Sequence, residues 1–166
     1  MKQAIAGVAP SARSEVTVTT VWPSNAASPL GRMLGQLYSI DAGIWVLTIG
    51  NLIALASIPV ALALYFIKVL PGMGTRYRLT NRRLIVERGL LGKEERSVDL
   101  DRFDSVNVEV QPGQAWYSAG DLVFFLGKTE TFRVEGVSRP EAFRATLLKS
   151  QRSHAGVKKA LAAQAV

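Results

Sequence analysis

Residues 42–67 of this chain read AGIWVLTIGNLIALASIPVALALYFI, a run of 26 residues without a charged side chain. A helix of that length would reach about 39 Å, which exceeds the roughly 30 Å hydrocarbon core of a bilayer. Trp45 lies near the start of the run, and Tyr65 and Phe66 lie near its end, where aromatic rings favour the headgroup level. The run therefore predicts a transmembrane helix, because the following residues read as β-structure that is too small to enclose it.

Three residues interrupt the run: Gly50, Asn51 and Pro59. Pro59 should kink a helix rather than end it, because neighbouring groups can satisfy the freed carbonyl. Asn51 has two readings. It is either a polar contact between helices of a homo-oligomer, or a polar group tolerated beside Gly50 or solvated near one membrane face.

The basic residues are concentrated after the apolar run. The net charge is +7, with three basic and two acidic residues before position 42 and seventeen basic and eleven acidic from position 68 onward. A juxtamembrane basic cluster is retained on the cytoplasmic side, so the C-terminal part is predicted to lie at the cytoplasmic face of the inner membrane. Five side chains are predicted to face lipid headgroups, unless they are ordinary solvated strand residues: Lys68, Arg76, Arg78, Arg82 and Arg83.

The N-terminal part predicts little regular structure before residue 29. Residues 1–28 read as a tail with a possible strand at 14–22, and region 29–70 holds an amphipathic helix followed by the transmembrane segment. If strand 14–22 joins the sheet that follows the apolar run, a single pass is impossible. The run must then return as a hairpin bent near Gly50, Asn51 or Pro59, and both topologies remain open.

Residues 75–152 predict a small α+β domain. Short strands joined by turns are followed by a helix, and the capping-box pair Ser138 and Glu141 marks the start of that helix. This order predicts an antiparallel β-sandwich or partly open barrel capped by a C-terminal helix, with residues 153–166 as a flexible tail. Trp116 and Tyr117 lie in a loop and are expected either to reach the membrane interface or to cover the core.

The sequence offers no constellation for catalysis or metal binding. The absence of cysteine excludes disulfides and thiolate metal sites, and the single His154 reads as a solvated side chain. Asp99, Asp101 and Asp104 lack the pattern of a calcium loop and read as a surface turn with salt bridges. We therefore expect no enzyme activity, no cofactor and no metal.

Several short motifs in the second half resemble a known family. They are residues 77–84 (YRLTNRRL), 87–89 (ERG), 98–100 (VDL) with Phe103 and Val106, 120–123 (GDLV) and 137–141 (VSRPE). Their order and spacing resemble the bacterial pleckstrin-homology-like (PH-like) domain of the YdbS/YdbT-like membrane proteins. The resemblance covers most of residues 14–152. It implies a PH-like sandwich at the inner face of the membrane, although many relatives look as if they carry two membrane helices.

These observations together predict a membrane-anchored, non-catalytic binding module. Its partners would be the lipid bilayer and an unknown protein or peptide, for which open sheet edges offer a binding mode. The alternatives are a basic nucleic-acid-binding domain, which the basic composition permits, or an accessory subunit of a membrane enzyme or transport complex. Nucleic acid is not expected, because basic and acidic residues alternate after Glu87 and no aromatic stacking platform is present.

Overall fold

Two antiparallel sheets form the body of the protein. The structure, a computed structural model, describes residues 14–69, 74–89 and 91–164, and the predicted tail at 1–13 lies outside them. The first sheet has the order β1 (Thr17–Val21), β4 (Thr75–Thr80), β5 (Arg83–Arg88) and β6 (Lys93–Asp99). The second has the order β7 (Ser105–Glu109), β8 (Ala119–Leu126) and β9 (Thr129–Ser138). This four-plus-three arrangement confirms the predicted antiparallel sandwich.

The core lies between the sheets and under the C-terminal helix α4 (Pro140–Gln164). Alternate residues of the strands face inward, as the period of two requires for a half-buried sheet. Phe143 and Leu147 of α4 close the core on one side. The buried apolar side chains that meet there include Leu79, Leu84, Leu100, Val106, Leu122, Phe124 and Val134.

The C-terminal helix is longer than the sequence indicated. Residues 153–164 continue α4 in place of the predicted flexible tail. The extension contacts the sandwich, since Nδ1 of His154 lies 3.1 Å from the carbonyl oxygen of Asn81 and Nζ of Lys158 lies 3.1 Å from Oδ2 of Asp101. His154 is therefore partly buried and in contact with the protein, whereas a solvated side chain was expected.

Strand β1 pairs antiparallel with β4, although 53 residues separate Val21 from Thr75 in the sequence. Val21 is opposite Tyr77 and Thr17 is opposite Thr80. Glu15 fixes the outer end of this pairing, because its carboxylate accepts hydrogen bonds from Thr80 and Arg83, each at 2.9 Å. The long segment between β1 and β4 thus leaves the first sheet and returns to the neighbouring strand.

The chain crosses to the second sheet directly after β1. Pro23 forms a bridge with Val137, and the backbone N–H of Ser24 donates to the carbonyl of Gly136 at 2.8 Å. Tyr77 makes a second link, because its hydroxyl donates to the carbonyl of Glu135 at 2.7 Å, and burial raises the pKa of this phenol. The sandwich is closed along this corner by β1 and the residues that follow it.

The apolar run does not form the single helix that was predicted over residues 42–67. It starts with a two-stranded ribbon, β2 (Gly43–Ile44) and β3 (Leu47–Thr48), and continues in α2 (Ile49–Ala56) and α3 (Ile58–Val69). Trp45 lies in the turn of the ribbon, with a positive φ of 56°. Thr48, at the end of the ribbon, caps the start of α2 with its side chain. α1 (Pro29–Tyr38) forms the predicted amphipathic helix before the run.

The break between the two helices falls at Ser57, two residues before Pro59. Proline cannot donate a backbone N–H, so a helix that contains one bends most easily on the N-terminal side of the proline. Among the described residues no single helix is long and apolar enough to cross a membrane. By length and composition alone the pair Ile49–Ala56 and Ile58–Phe66, bent by 54°, could do so.

The pairing of β1 predicts a stability that depends on acid pH. The hydrogen bond from Arg83 lowers the pKa of Glu15 below its ordinary value of 4.5. A carboxyl whose pKa is depressed by folding contributes stability above the unfolded value and loses it as pH falls through the folded value. We expect Glu15→Gln to lower the free energy of unfolding at about pH 7 and to cost progressively less below about pH 4.5, measured by denaturant unfolding in detergent. If the difference in unfolding free energy between the two proteins did not change with pH over this range, the role given to Glu15 would be contradicted.

Candidate functional site

The segment between β1 and β4, residues 22–74, is the candidate functional site and is called the insertion below. It begins with a short 3₁₀ turn (Asn25–Ala27) and a helix start at Ser28, whose hydroxyl accepts from the backbone N–H of Gly31 at 3.1 Å. A proline in the first turn and a serine cap are typical of a helix start. α1 therefore begins immediately beside the sandwich corner that β1 has closed.

α1 docks on the loop between β7 and β8 through two glycines. A Cβ atom on Gly35 would overlap the carbonyl oxygen of Gly113, and a Cβ on Gly113 would overlap that of Arg32. Gly113 also has a positive φ of 84°, which side chains rarely adopt. The helix and the loop therefore approach as closely as two backbones can, and larger residues at these positions would force them apart.

Three aromatic rings extend this contact. Tyr38, at the end of α1, lies with its ring centroid 4.7 Å from Trp116 and 6.4 Å from Tyr117, and those two rings are 4.8 Å apart. Burial raises the pKa of Tyr117. The loop aromatics singled out from the sequence thus pack on the insertion, while Trp116 also keeps an exposed face. The sequence did not indicate that Tyr38 is their partner.

A buried carboxylate holds the loop in place. Asp121 is fully buried, and its oxygens accept hydrogen bonds from Gln114 at 2.6 Å, Gln111 at 2.7 Å and the backbone N–H of Gly136 at 2.8 Å. The backbone N–H of Gln111 donates to Oε1 of Gln114 at 2.8 Å, which closes the network. Buried polar groups of this kind are stable only when their hydrogen bonds are satisfied. The network therefore makes the loop a firm platform for α1.

α2 runs back along α1. Gly50 lies so close to the end of α1 that a Cβ would overlap the carbonyl of Tyr38, and the hydroxyl of Tyr38 is 2.5 Å from Oγ of Ser57. Asn51 donates from Nδ2 to the carbonyl of Val46 at 2.8 Å. Its amide is thus engaged within the chain, where it ties the ribbon to α2.

The outward surface of the insertion is apolar and exposed. α3 makes few contacts with the rest of the described chain, and large apolar side chains project from the ribbon, α2 and α3. An apolar surface of this extent is unusual on a soluble monomer and marks a contact with a membrane or another protein. The exposed residues include Ile44, Trp45, Val46, Leu47, Ile49, Leu52, Leu55, Ile58, Val60, Leu62, Tyr65 and Phe66.

The structure separates the basic residues that the sequence grouped. Arg76 and Arg78 lie on the outer face of the first sheet, where both pair with the buried carboxylate of Glu87, Arg78 through Nη2 at 2.6 Å. Lys68 lies in α3, but its side chain is outside the described residues. The sequence suggested neither the burial of Glu87 nor its pairing, although Glu87 is the first acid after the cluster.

Arg82 and Arg83 lie at the opposite end of β4 and β5 from Gly74. Thr75 and Thr80 are the first and last residues of the six-residue strand β4, about 17 Å apart. Arg83 is held by Glu15 and by Glu94, each at 2.9 Å, and the carbonyl of Arg82 accepts from the backbone N–H of Leu100 at 2.8 Å. We call this end, with turn 81–82 and loop 100–104, the distal end. The other, with Gly74, Gly89 and loop 111–117, is the proximal end.

The aspartates of loop 100–104 and its neighbours make local contacts. Asp101 pairs with Lys158, which lowers the pKa of this carboxyl, Asp99 pairs with Arg102 at 3.5 Å, and Asp104 accepts from the backbone N–H of Gly127 at 2.9 Å. Among the described residues no cluster of three or more histidine, cysteine or acidic side chains could hold a metal ion. Asp99 and Asp101 thus form the surface salt bridges that the sequence predicted, whereas Asp104 binds a backbone N–H.

Gly35 offers a direct test of the docking of α1. Alanine is favoured over glycine inside a helix by about 1 kcal/mol, so Gly156→Ala in α4, where a Cβ would meet open space, should be neutral or stabilising. Gly35→Ala should instead destabilise by about 1–3 kcal/mol, because its Cβ would push α1 away from Gly113. Denaturant unfolding of both variants in detergent checks this. Equal effects of the two substitutions would contradict the close approach.

Comparison with known proteins supports the fold. The model of a family described as the bacterial PH domain matches residues 29–152, from the start of α1 to within α4. No curated protein and no solved structure matches the chain. The family match covers well over half of the chain and includes most of the insertion and most of the sandwich. The protein belongs to the bacterial PH domain family.

Proposed function

We propose that the protein is a membrane-anchored binding module whose insertion enters the bilayer and holds the sandwich at the membrane surface. Membership of a PH domain family indicates a non-catalytic binding module. A membrane would cover the exposed surface of the insertion, because residues 58–66 of α3 are apolar and most of them stay exposed in the protein alone. This exposed apolar surface is the single observation that carries the proposal.

The ends of the insertion argue for a segment that enters and leaves on one side. Val21, before the insertion, and Tyr77, after it, are paired residues of adjacent strands. A single full pass would place the two ends on opposite faces of a bilayer about 30 Å thick, and the pairing would then be broken. α2 and α3, with eight and twelve residues, reach about 12 and 18 Å, so each suits a shallow hairpin better than a full span.

The proposed location is the cytoplasmic face of the inner membrane, as in the YdbS/YdbT-like proteins that the sequence resembles. The basic excess after the insertion supports it, because such residues are retained on the cytoplasmic side. Of the predicted headgroup residues, Arg76 and Arg78 lie nearer the proximal end. Arg82 and Arg83 lie about 17 Å from the level of Thr75 at that end, beyond a screening length of about 8–10 Å, and would contribute little there.

The proposal includes a protein or peptide partner. β6 and β7 lie at sheet edges, where a partner strand could add to the sheet. On β7, Nε of Arg144 donates to the carbonyl of Val106 at 2.6 Å and so occupies part of that edge. β6 is therefore the better candidate, and its exposed Lys93, Glu94 and Glu95 would favour a polar partner with charges of both signs.

Charged substitutions in the insertion test the proposal. Leu52 in α2 and Leu126 at the end of β8 are 52% and 50% exposed, so they form a matched pair. A lysine in place of leucine costs about 3 kcal/mol inside a bilayer, and we expect Leu52→Lys to reduce the fraction of protein that floats with lipid vesicles. Leu126→Lys should float like the parent.

Folding of both variants is checked by near-UV circular dichroism in detergent, so that loss of flotation is not confused with misfolding. The proposal would be wrong if the parent chain, folded and freed of detergent, stayed with the protein fraction instead of the vesicles. It would also be wrong if both lysine variants lost flotation equally, because the membrane contact would not then be specific to the insertion.

A further inference from the structure

The turn between β5 and β6 lies next to the point where the insertion rejoins the sheet. The backbone N–H of Gly89 donates to the carbonyl of Gly74 at 2.6 Å, and Thr75 at the start of β4 is paired with Arg88. Arg88 is paired in turn with Lys93 on β6. Arg88, Gly89 and Lys93 therefore lie at the proximal end, the end from which the insertion enters the proposed membrane.

The tip of this turn carries the most exposed large apolar side chain among the described residues. Leu91 is 96% exposed, ahead of Trp45 at 93% and Ile44 at 85%, which form the ribbon of the insertion. By contrast, the strand residues Leu79, Leu84 and Leu122 are fully buried, and Leu126 at the end of β8 is 50% exposed. A leucine this exposed gains no burial from contacts within the described chain, so its side chain is free to be buried by a contact outside the chain.

Gly92, next to Leu91, lies against a side chain of the first sheet. Gly92 has a positive φ of 66°, and a Cβ at this position would overlap the guanidinium of Arg76. That guanidinium is itself fixed on the buried carboxylate of Glu87. Gly92 therefore packs directly on the Arg76–Glu87 pair, and Leu91 before it remains exposed.

Basic side chains flank the apolar tip. Lys93 is exposed, and Arg88 keeps most of its side chain in solvent while pairing with Glu95 at 3.2 Å. A surface pair of this kind is weak and exchanges readily with other anions. An apolar tip between two cations matches the interface of an anionic bilayer, where phosphates lie just outside the acyl chains.

We propose that Leu91, with its basic neighbours Arg88 and Lys93, is a second membrane-contact element, in which Leu91 enters the headgroup region of an anionic bilayer and Arg88 and Lys93 meet lipid phosphates. This inference rests on the proposed function, because the insertion brings the proximal end to the membrane. With the insertion as the one contact, the insertion and the sandwich can still tilt together on the membrane surface. A second contact at the turn fixes which face of the first sheet is turned towards the cytoplasm.

Site-specific fluorescence on the whole chain tests the turn. The sequence has no cysteine, so a single cysteine can carry an environment-sensitive label at position 91, at position 45 in the ribbon, or at position 102 in the distal loop. Each protein is reconstituted in vesicles of neutral and anionic phospholipid, with and without nitroxide-labelled lipids. We expect quenching and a blue shift at 45 and 91, and neither at 102.

The basic flanks are tested with the label at position 91. Lys93→Gln should lower the ratio of membrane-bound to free turn about fivefold, the factor that corresponds to about 1 kcal/mol for a basic residue near an anionic surface. Lys128→Gln, in the turn between β8 and β9, is the matched control and should change nothing. An unchanged ratio in Lys93→Gln would overturn the role of that lysine.

The labels separate this inference from the proposed function. Quenching at 45 with none at 91 would overturn the second contact and leave the anchored module in place. No quenching at any of the three positions would overturn both. Equal quenching at 91 and 102 would show that the sandwich has no fixed orientation, and would also overturn the inference.

Discussion

The pairing of β1 with β4 is the constraint on which the rest of the structure depends. It joins two strands that are separated by the whole insertion, and closing so long a loop costs entropy that the strand pairing and the sandwich corner must offset. Glu15 with Arg83 at one end, and Ser24 with Gly136 at the other, hold the short strand in place. Once β1 is paired, both ends of the apolar insertion are fixed on one side of the sandwich.

The insertion is built into the fold and is not simply attached to it. α1 approaches the loop between β7 and β8 at Gly35 and Gly113, and α2 approaches α1 at Gly50. The buried Asp121 stiffens the loop that receives α1. A rigid connection of this kind means that the orientation of the sandwich follows the orientation of the insertion, which suits a module that must present one face at a surface.

Much of this architecture could be predicted from the sequence, since the alternation of Val106 and Val108 and the capping box at Ser138 are local signals. The strand at 14–22 was also visible, and its joining the later sheet was one of two topologies left open. The sequence could not decide between them, because nothing local specifies a partner more than 50 residues away. The single helix over 42–67 was wrong, because composition reports how apolar a segment is but not the positive φ of Trp45 or the bend at Ser57. The predicted basic cluster omitted Glu87, whose burial emerges only when β4 and β5 pair.

The central claim is that both ends of the insertion lie on the same side of the membrane. Single cysteines at Thr17 in β1 and Thr129 in β9, both exposed, can be labelled in intact cells with a thiol reagent that does not cross the membrane. We predict that both positions are protected in intact cells and labelled after lysis. Labelling of position 17 alone in intact cells would contradict the account, because β1 and β4 would then lie on opposite sides and could not pair.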